Sequence, residues 1–262
     1  MSPSPIHKVL SILRTHRVRA LLMGGQACIL YGAAEFSRDI DLAVLADEKN
    51  LSRLLAALDQ LHAEPVFVPA LSRDALLRGH ACHFRSGRAD TKGLRIDVMS
   101  VLHGCEPFEA LWSRRHTLSL AGVGRVHVLA LEDLVRAKKT QRDKDWPMVR
   151  RLIEADHYRR SSRPSRARIV FWLREARTSD LLVELCRRYP ATARRVASDR
   201  PALRSALRGN IAGVERALQV EQEACRASDR AYWAPLRADL ARWRQEQVKR
   251  SRKGAARARR AP

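Results

Sequence analysis

Hydrophobic and polar positions follow two rhythms up to about residue 160 and a single rhythm beyond it. IHKVLSILRTH (6–16) places Ile6, Val9, Leu10 and Leu13 on one side of a helix. VRALLMGG (18–25) is a short apolar run that ends in Gly-Gly, the pattern of a buried strand running into a tight turn, and QACILYGAA (26–34) continues as a short helix. In DIDLAVL (39–45), Asp39, Asp41, Ala43 and Leu45 alternate with Ile40, Leu42 and Val44. That period of two predicts a strand with both aspartates on one face.

NLSRLLAALDQLHA (50–63) is an amphipathic helix, and PVFVP (65–69) reads as a short strand. HACHFRS (80–86) and LRIDVMSV (94–101) read as a hairpin around GRADTKG. HTLSL (116–120) and RVHVLA (125–130) read as a second hairpin around AGVG. Helices over LEDLVRAKKTQ (131–141) and DKDWPMVRRLIEAD (143–156) close this part.

The second part lacks strand-like runs and is rich in Ala, Leu, Arg and Glu, which favour helix. It reads as successive helices over 168–176, 179–189, 190–198, 200–209, 210–227 and 229–250, bounded by Ser/Asp caps, Pro190, Pro201 and Gly209. Pro235 falls early in the last of them, where it is placed to bend the helix. The Arg/Ser-rich segment 159–168 with its Pro reads as a linker. The expected organisation is therefore an α/β domain over 1–158, a linker over 159–168, a basic helical domain over 169–250 and a disordered basic tail over 251–262.

Charge sharpens this division. The chain of 262 residues carries a net charge of +22. Residues 1–160 hold 25 Lys and Arg against 18 Asp and Glu, and residues 161–262 hold 25 against 10. A surface so basic points to a polyanionic partner, nucleic acid first, with a solvated Arg-rich surface as the plainer reading. The five scattered cysteines form no CxxC pair, which argues for a reducing compartment. The cluster of His80, Cys82, His83, His103 and Cys105 fits no standard zinc spacing. Alternate strand residues carrying a small buried thiol account for it. With no apolar run of membrane-spanning length and no leader pattern, a soluble cytoplasmic protein is expected.

The chemistry gathers in the first part. A Gly-Gly turn from strand to helix lets the backbone come close to an anion and offers N–H groups to phosphate. The Asp39-x-Asp41 pair aims two carboxylates at one point, where hard divalent cations bind. Asp97 sits between Ile96 and Val98 in an apolar strand, where an unpaired carboxylate would be costly. Three strand carboxylates beside a phosphate-binding turn suit metal-assisted phosphoryl transfer. In the absence of metal the three are expected to repel, so that Asp97→Asn would leave the metal-free protein at least as stable. His116 and His127 on the second hairpin read as surface residues.

LMGGQACILYGAAEFSRDIDLAV resembles the nucleotidyltransferase (polymerase-beta-like) superfamily: Gly-Gly, a spacer, Asp-hydrophobic-Asp, then a third Asp on a later strand. Within it the chain is most similar to AbiEii-type bacterial nucleotidyltransferases over roughly 18–157. LALEDLVRAKKTQRDKDW (129–146) is similar to the family's Lys-bearing helix and the Arg-x-Lys-Asp that follows it.

The resemblance implies a nucleotidyltransferase fold, with a mixed sheet and flanking helices. It implies Asp39, Asp41 and Asp97 as catalytic and metal-binding residues, with Mg²⁺ or Mn²⁺ as cofactor. It implies Gly24, Gly25, Ser37, Arg38, Lys138, Arg142, Lys144 and Asp145 around the nucleotide. Relatives often carry Arg four residues and Thr two residues before the first aspartate; here Glu35 and Ser37 stand in those places and Arg38 directly precedes Asp39.

The implied activity moves a nucleoside monophosphate from an NTP to an acceptor hydroxyl. An RNA acceptor such as a tRNA end fits the basic helical part, and a toxin or phage-defence role with an antitoxin partner is implied by the AbiEii likeness. A protein or small-molecule acceptor is the alternative, as is a non-catalytic module that binds RNA or protein.

Overall fold

The computed structural model describes residues 4–258. The chain forms two compact units, each drawn from separate stretches of sequence. The first comprises the residues up to Leu22, Arg38–Val128 and those from Ala231 onward; the second comprises Met23–Ser37 and Leu129–Arg230. The expected boundary at 159–168 falls inside the second unit.

The first unit is built on a mixed seven-stranded sheet in the order β3-β4-β5-β2-β1-β7-β6. Its strands are β1 (Ala20–Met23), β2 (Asp39–Val44), β3 (Ala63–Pro65), β4 (Cys82–Ser86), β5 (Arg95–Met99), β6 (His116–Leu120) and β7 (Gly124–Val128). β2 runs parallel to β5 and β1 parallel to β7. The pairs β3–β4, β4–β5 and β6–β7 are antiparallel. Both hairpins predicted from the sequence are present, the first closing through a 3₁₀ turn at Ala89–Thr91.

Period-two patterning places Ile40 and Leu42 of β2, Ile96 and Val98 of β5 and Phe84 of β4 in the core, none more than 4% exposed. Helices α1 (Pro5–Thr15) and α3 (Glu48–Gln60) bury Val9, Leu10, Ile12 and Leu13, and Leu51, Leu54, Ala57 and Leu58. Two short helices, α4 (Arg73–Leu77) and α5 (Phe108–Ser113), were not legible as periodic runs. PVFVP is not a strand: β3 ends at Pro65. Prolines at both ends of that segment withhold the N–H groups a strand needs.

A buried amide fixes the ends of the central strands. Asn50 is 2% exposed. Its Oδ1 accepts from the N–H of Arg19 at 2.7 Å, and its Nδ2 donates to the carbonyls of Arg19 at 3.1 Å and Leu45 at 2.8 Å. Asp47 caps α3 by accepting the Asn50 N–H at 2.6 Å, which holds the amide in place.

The second unit contains α2 (Gly24–Leu30), α6 (Leu131–Ala137), α7 (Asp145–Arg160), α8 (Arg166–Glu175), α9 (Ser179–Arg188), α10 (Pro190–Val196), α11 (Ala202–Leu207) and the first part of α12 (Ile211–Ala258). Helices α8 to α12 are those expected over 168–250, with one correction. The runs 210–227 and 229–250 form one helix rather than two. Asp229 does not begin a new helix; it is 2% exposed and its carboxylate accepts the Gln141 N–H at 2.8 Å. Pro235 is accommodated within α12.

Buried Arg200 ties the helices together, donating to the carbonyls of Leu173 at 2.8 Å and Ala176 at 2.7 Å and pairing with Glu221 at 3.0 Å. The tail expected to lack structure begins at 251; α12 continues through it to Ala258, and residues 259–262 lie outside the described residues. Among the described residues no helix is long and apolar enough to cross a membrane.

Replacing Asn50 with Leu keeps the volume but strands the Arg19 N–H and the Leu45 carbonyl at the ends of β1 and β2, while the Arg19 carbonyl keeps the Leu45 N–H at 3.2 Å. The expected loss is about 2–4 kcal/mol, read as a lower urea midpoint at unchanged slope. A midpoint shift near zero would show that water replaces the amide.

Candidate active site

The sheet's polar face is set by the same alternation that builds its core. In the β2–β5 register, Asp39 lies opposite Arg95 and Asp41 opposite Asp97. In the β4–β5 register, His83 lies opposite Asp97 and Arg85 opposite Arg95. Residues directly opposite one another on adjacent strands share a face. Asp39, Asp41, Arg95, Asp97, His83 and Arg85 therefore form one charged panel, with the apolar core behind it.

Within this panel Asp97 is tightly held. Its Oδ1 accepts from Arg95 Nε at 2.7 Å and from His83 Nδ1 at 2.8 Å. Arg95 Nη2 also stands 3.1 Å from His83 Nδ1, so the three side chains form one cluster, and Phe67 meets the imidazole edge-on at a centroid distance of 5.9 Å. Burial pushes the Asp97 carboxyl up, but the hydrogen bonds from His83 and Arg95 and their charges outweigh it and hold the group below its usual range. Arg95 is pushed up in turn, chiefly by its hydrogen bond to Asp97, and the charges of Asp39 and Asp41 add to this.

This corrects the expectation that Asp97 faces only like charge. Arg95 and His83 were missed as parts of the site. Their signal was present in the period-two pattern of HACHFRS and LRIDVMS, which puts both residues on the aspartates' face.

The second unit carries the other predicted residues. Gly24 opens α2 with φ 63°, in the left-handed region that favours glycine. Gly25 is glycine for a steric reason: a Cβ there would stand 2.3 Å from Ser37 Oγ and 2.7 Å from Ser37 Cβ. The helix takes in both glycines instead of starting after them. Ser37 is thus packed directly on the Gly-Gly turn, and its carbonyl accepts from Gln26 Nε2 at 3.0 Å.

Asp145, 2% exposed at the start of α7, collects Lys138, Thr140 and Arg142. Lys138 Nζ donates to its Oδ1 at 3.3 Å, while Thr140 Oγ1 and Arg142 Nε donate to its Oδ2 at 2.6 and 2.7 Å. Burial pushes the Asp145 carboxyl up, and these partners more than reverse it. Thr140 was not foreseen. Lys144 is exposed at the N-cap position of α7, and its side chain makes no capping hydrogen bond. Arg38 is exposed directly ahead of β2 in the first unit.

Metal binding can be judged from the donor set. Among the described residues no three His, Cys, Asp or Glu side chains are grouped so as to hold a metal ion by themselves. Mg²⁺ commonly takes only one or two carboxylates, with the remainder supplied by phosphate oxygens and water. Asp39 and Asp41 on one strand face meet that requirement, with Asp97 next to Asp41.

No protein-family model matches the chain, and no curated protein matches it. Distantly similar solved structures include two from the same organism. One is a protein of H. pylori provisionally described as a nucleotidyltransferase, with TM-score 0.38 and 13% identity over 86% of this chain and 97% of that one. The other is JHP933 from Helicobacter pylori, with TM-score 0.34 and 11% identity over 83% and 92%. Likeness of this degree fixes neither chemistry nor partners, so the site stands on its own residues.

The Asp97 cluster has a signed pH dependence. A carboxyl held low in the folded state stabilises the fold above its unfolded value and loses that contribution as pH falls through the lower folded one. Asp97→Asn is expected to cost about 1–2 kcal/mol at pH 7, modest because Arg95 is partly solvated. The gap should persist down to about pH 4 and close below it. Equal stability at pH 7 would mean that Arg95 and His83 merely neighbour the carboxylate.

The Gly25 contact makes a separate prediction. Gly25→Ala should destabilise the protein by about 1–3 kcal/mol, and Ser37→Gly in the same chain should recover most of the loss. Additive effects in the melting temperatures of the two single variants and the double would contradict the contact.

Proposed function

We propose that the protein is a metal-dependent nucleotidyltransferase that moves a nucleoside monophosphate from an NTP to an acceptor hydroxyl. The observation that supports this reading is the parallel β2–β5 register, which sets Asp41 beside Asp97 on the face that also carries Asp39. In this reading Asp39 and Asp41 hold Mg²⁺ or Mn²⁺, which draws charge from the triphosphate when bound.

The chain's own residues do the rest. In this reading Gly24 offers its backbone N–H to phosphate, Ser37, packed on Gly25, offers its hydroxyl beside it, and Arg38 supplies positive charge ahead of β2. Lys138, Arg142 and Lys144 supply further positive charge, and Asp145 positions the first two. The acceptor oxygen bonds to the α-phosphorus, the bond from that phosphorus to pyrophosphate breaks, and the hydroxyl proton leaves to solvent. Asp97 orients the acceptor by accepting its hydrogen bond. A carboxyl held low is a weak proton acceptor, so positioning rather than general-base work falls to it.

RNA is the acceptor that the charge favours, since residues 161–262 carry 25 Lys and Arg against 10 Asp and Glu. An RNA end such as that of tRNA, modified in a toxin or phage-defence role with an antitoxin partner, is the finer form of this proposal.

The test is transfer of label from each α-³²P NTP, with Mg²⁺ or Mn²⁺, to total RNA, to protein or to small hydroxyl compounds. Label is expected in RNA, and Asp41→Asn should reduce it by at least about a hundredfold, in line with loss of a charge-stabilising group. Label in protein or a small molecule would move the acceptor, and full transfer by Asp41→Asn would overturn the site.

A further inference from the structure

We propose a second anion site in the first unit, separate from the carboxylate panel, that binds a small oligophosphate. A cavity of about 510 Å³ lies among α1, β1, β7 and the chain after α5. Its size is that of ordinary small-ligand sites. Part of its wall is Leu42, which strand alternation puts on the face of β2 opposite Asp39 and Asp41. Arg14, Arg17, Arg19, Arg115 and Arg125 line it, and no Asp or Glu does.

Among the described residues one of the five guanidiniums, that of Arg19, is neutralised by a carboxylate. Arg19 forms a two-pronged pair with Glu109, at 3.0 and 2.8 Å. Arg14, Arg17, Arg115 and Arg125 make no ion pair with a carboxylate among the described residues. Arg115 spends its donors on the Trp112 carbonyl at 2.6 Å and on His127 Nδ1 at 3.3 Å. Arg14, Arg17 and Arg125 are exposed and Arg115 is half-buried, so solvent screens their repulsion, but four such charges around one concavity attract an anion, most strongly at low ionic strength. His127 registers the same field. Expected at the surface, it is instead half-buried against Trp112, and it is held below its usual range by burial first and then by the charges of Arg115 and Arg125.

The backbone supplies an independent observation. α1 ends in a Schellman motif in which Val18 N–H reaches the Leu13 carbonyl at 3.0 Å. The left-handed position of that motif usually belongs to glycine, yet here it is Arg17, with φ 55°. An L side chain is strained there. Keeping an arginine at a position where glycine is easier, with its side chain on a cavity of arginines, points to a ligand that uses the guanidinium.

The ligand's class follows from charge and shape. Guanidinium groups bind phosphate oxygens in two-pronged fashion, and four unpaired ones match the charge of a triphosphate better than that of a single phosphate. Base stacking is not part of the site: Arg115 and Arg19 already lie over the Trp112 ring at 4.2 and 4.8 Å. A concavity of this size favours a compact oligophosphate over a nucleic-acid strand, which tracks along an open groove.

The test is titration calorimetry on the full chain in EDTA, which removes metal from the carboxylate panel, so that failure here leaves the proposed transferase untouched. The probes are inorganic tripolyphosphate, orthophosphate and a short single-stranded RNA. Tripolyphosphate is expected to bind at one site, at least tenfold more tightly than orthophosphate, and to raise the melting temperature. Arg17→Gly is the decisive variant: it should raise the melting temperature of the ligand-free protein by relieving strain, yet weaken tripolyphosphate about tenfold. Arg14→Gln with Arg125→Gln should weaken it further. Equal binding of tripolyphosphate and orthophosphate, or an Arg17→Gly variant that binds as the parent does, would overturn the proposal. So would RNA binding that these variants abolish while tripolyphosphate fails to bind.

Discussion

Parallel pairing of β2 with β5 in a single register is the constraint on which the candidate site rests. The pairing sets Asp39 opposite Arg95 and Asp41 opposite Asp97. A slip of one residue would turn every side chain of β2 to the other face. Ile40 and Leu42 would then meet solvent and two carboxylates would enter the core, at a cost of several kcal/mol for each buried charge. The hydrophobic face thus holds the acidic face in place. Core and chemistry are specified by one alternation.

Charge on the panel is balanced inside the unit that bears it. Arg95 and His83 hold Asp97 through one carboxylate oxygen. In the second unit Lys138, Thr140 and Arg142 hold buried Asp145 through both carboxylate oxygens. In both places burial alone would favour the neutral acid, and hydrogen-bonded bases keep the carboxylate charged. The arrangement stabilises the fold without metal, and it means that a cation or phosphate arriving at either cluster competes with bases already in contact. At the Arg-lined cavity, among the described residues, Arg19 alone of the five arginines is paired with an acid.

Much of this was legible in the sequence, and the omissions have physical causes. Alternation in DIDLAVL and LRIDVMS located β2, β5 and the three aspartates, because strand period depends only on neighbours two apart. The two hairpins were legible from their Gly-bearing turns. The β2–β5 partnership was not, since parallel pairing joins residues more than fifty positions apart and leaves no local pattern. Arg95 and His83 were overlooked for that reason, although their own strands put them on the right face.

PVFVP was misread because its apolar residues looked strand-like while its prolines lacked the donors. The single long α12 was misread as two helices because Ser228-Asp229 looks like a cap, whereas the Asp229 carboxylate serves the distant Gln141. Gly25 was legible as permissive backbone. Its contact with Ser37, twelve residues on, was not.

The central claim is that Asp39 and Asp41 hold a divalent metal together with nucleotide phosphates. Electron paramagnetic resonance of Mn²⁺ tests it directly, with the ion titrated into the protein in the presence and absence of a nucleotide analogue that cannot be cleaved between the α- and β-phosphates. The account predicts that free Mn²⁺ signal falls markedly only when the analogue is present, and that Asp39→Asn abolishes the fall. Undiminished Mn²⁺ uptake by Asp39→Asn, or no uptake by the parent protein with the analogue bound, would contradict it.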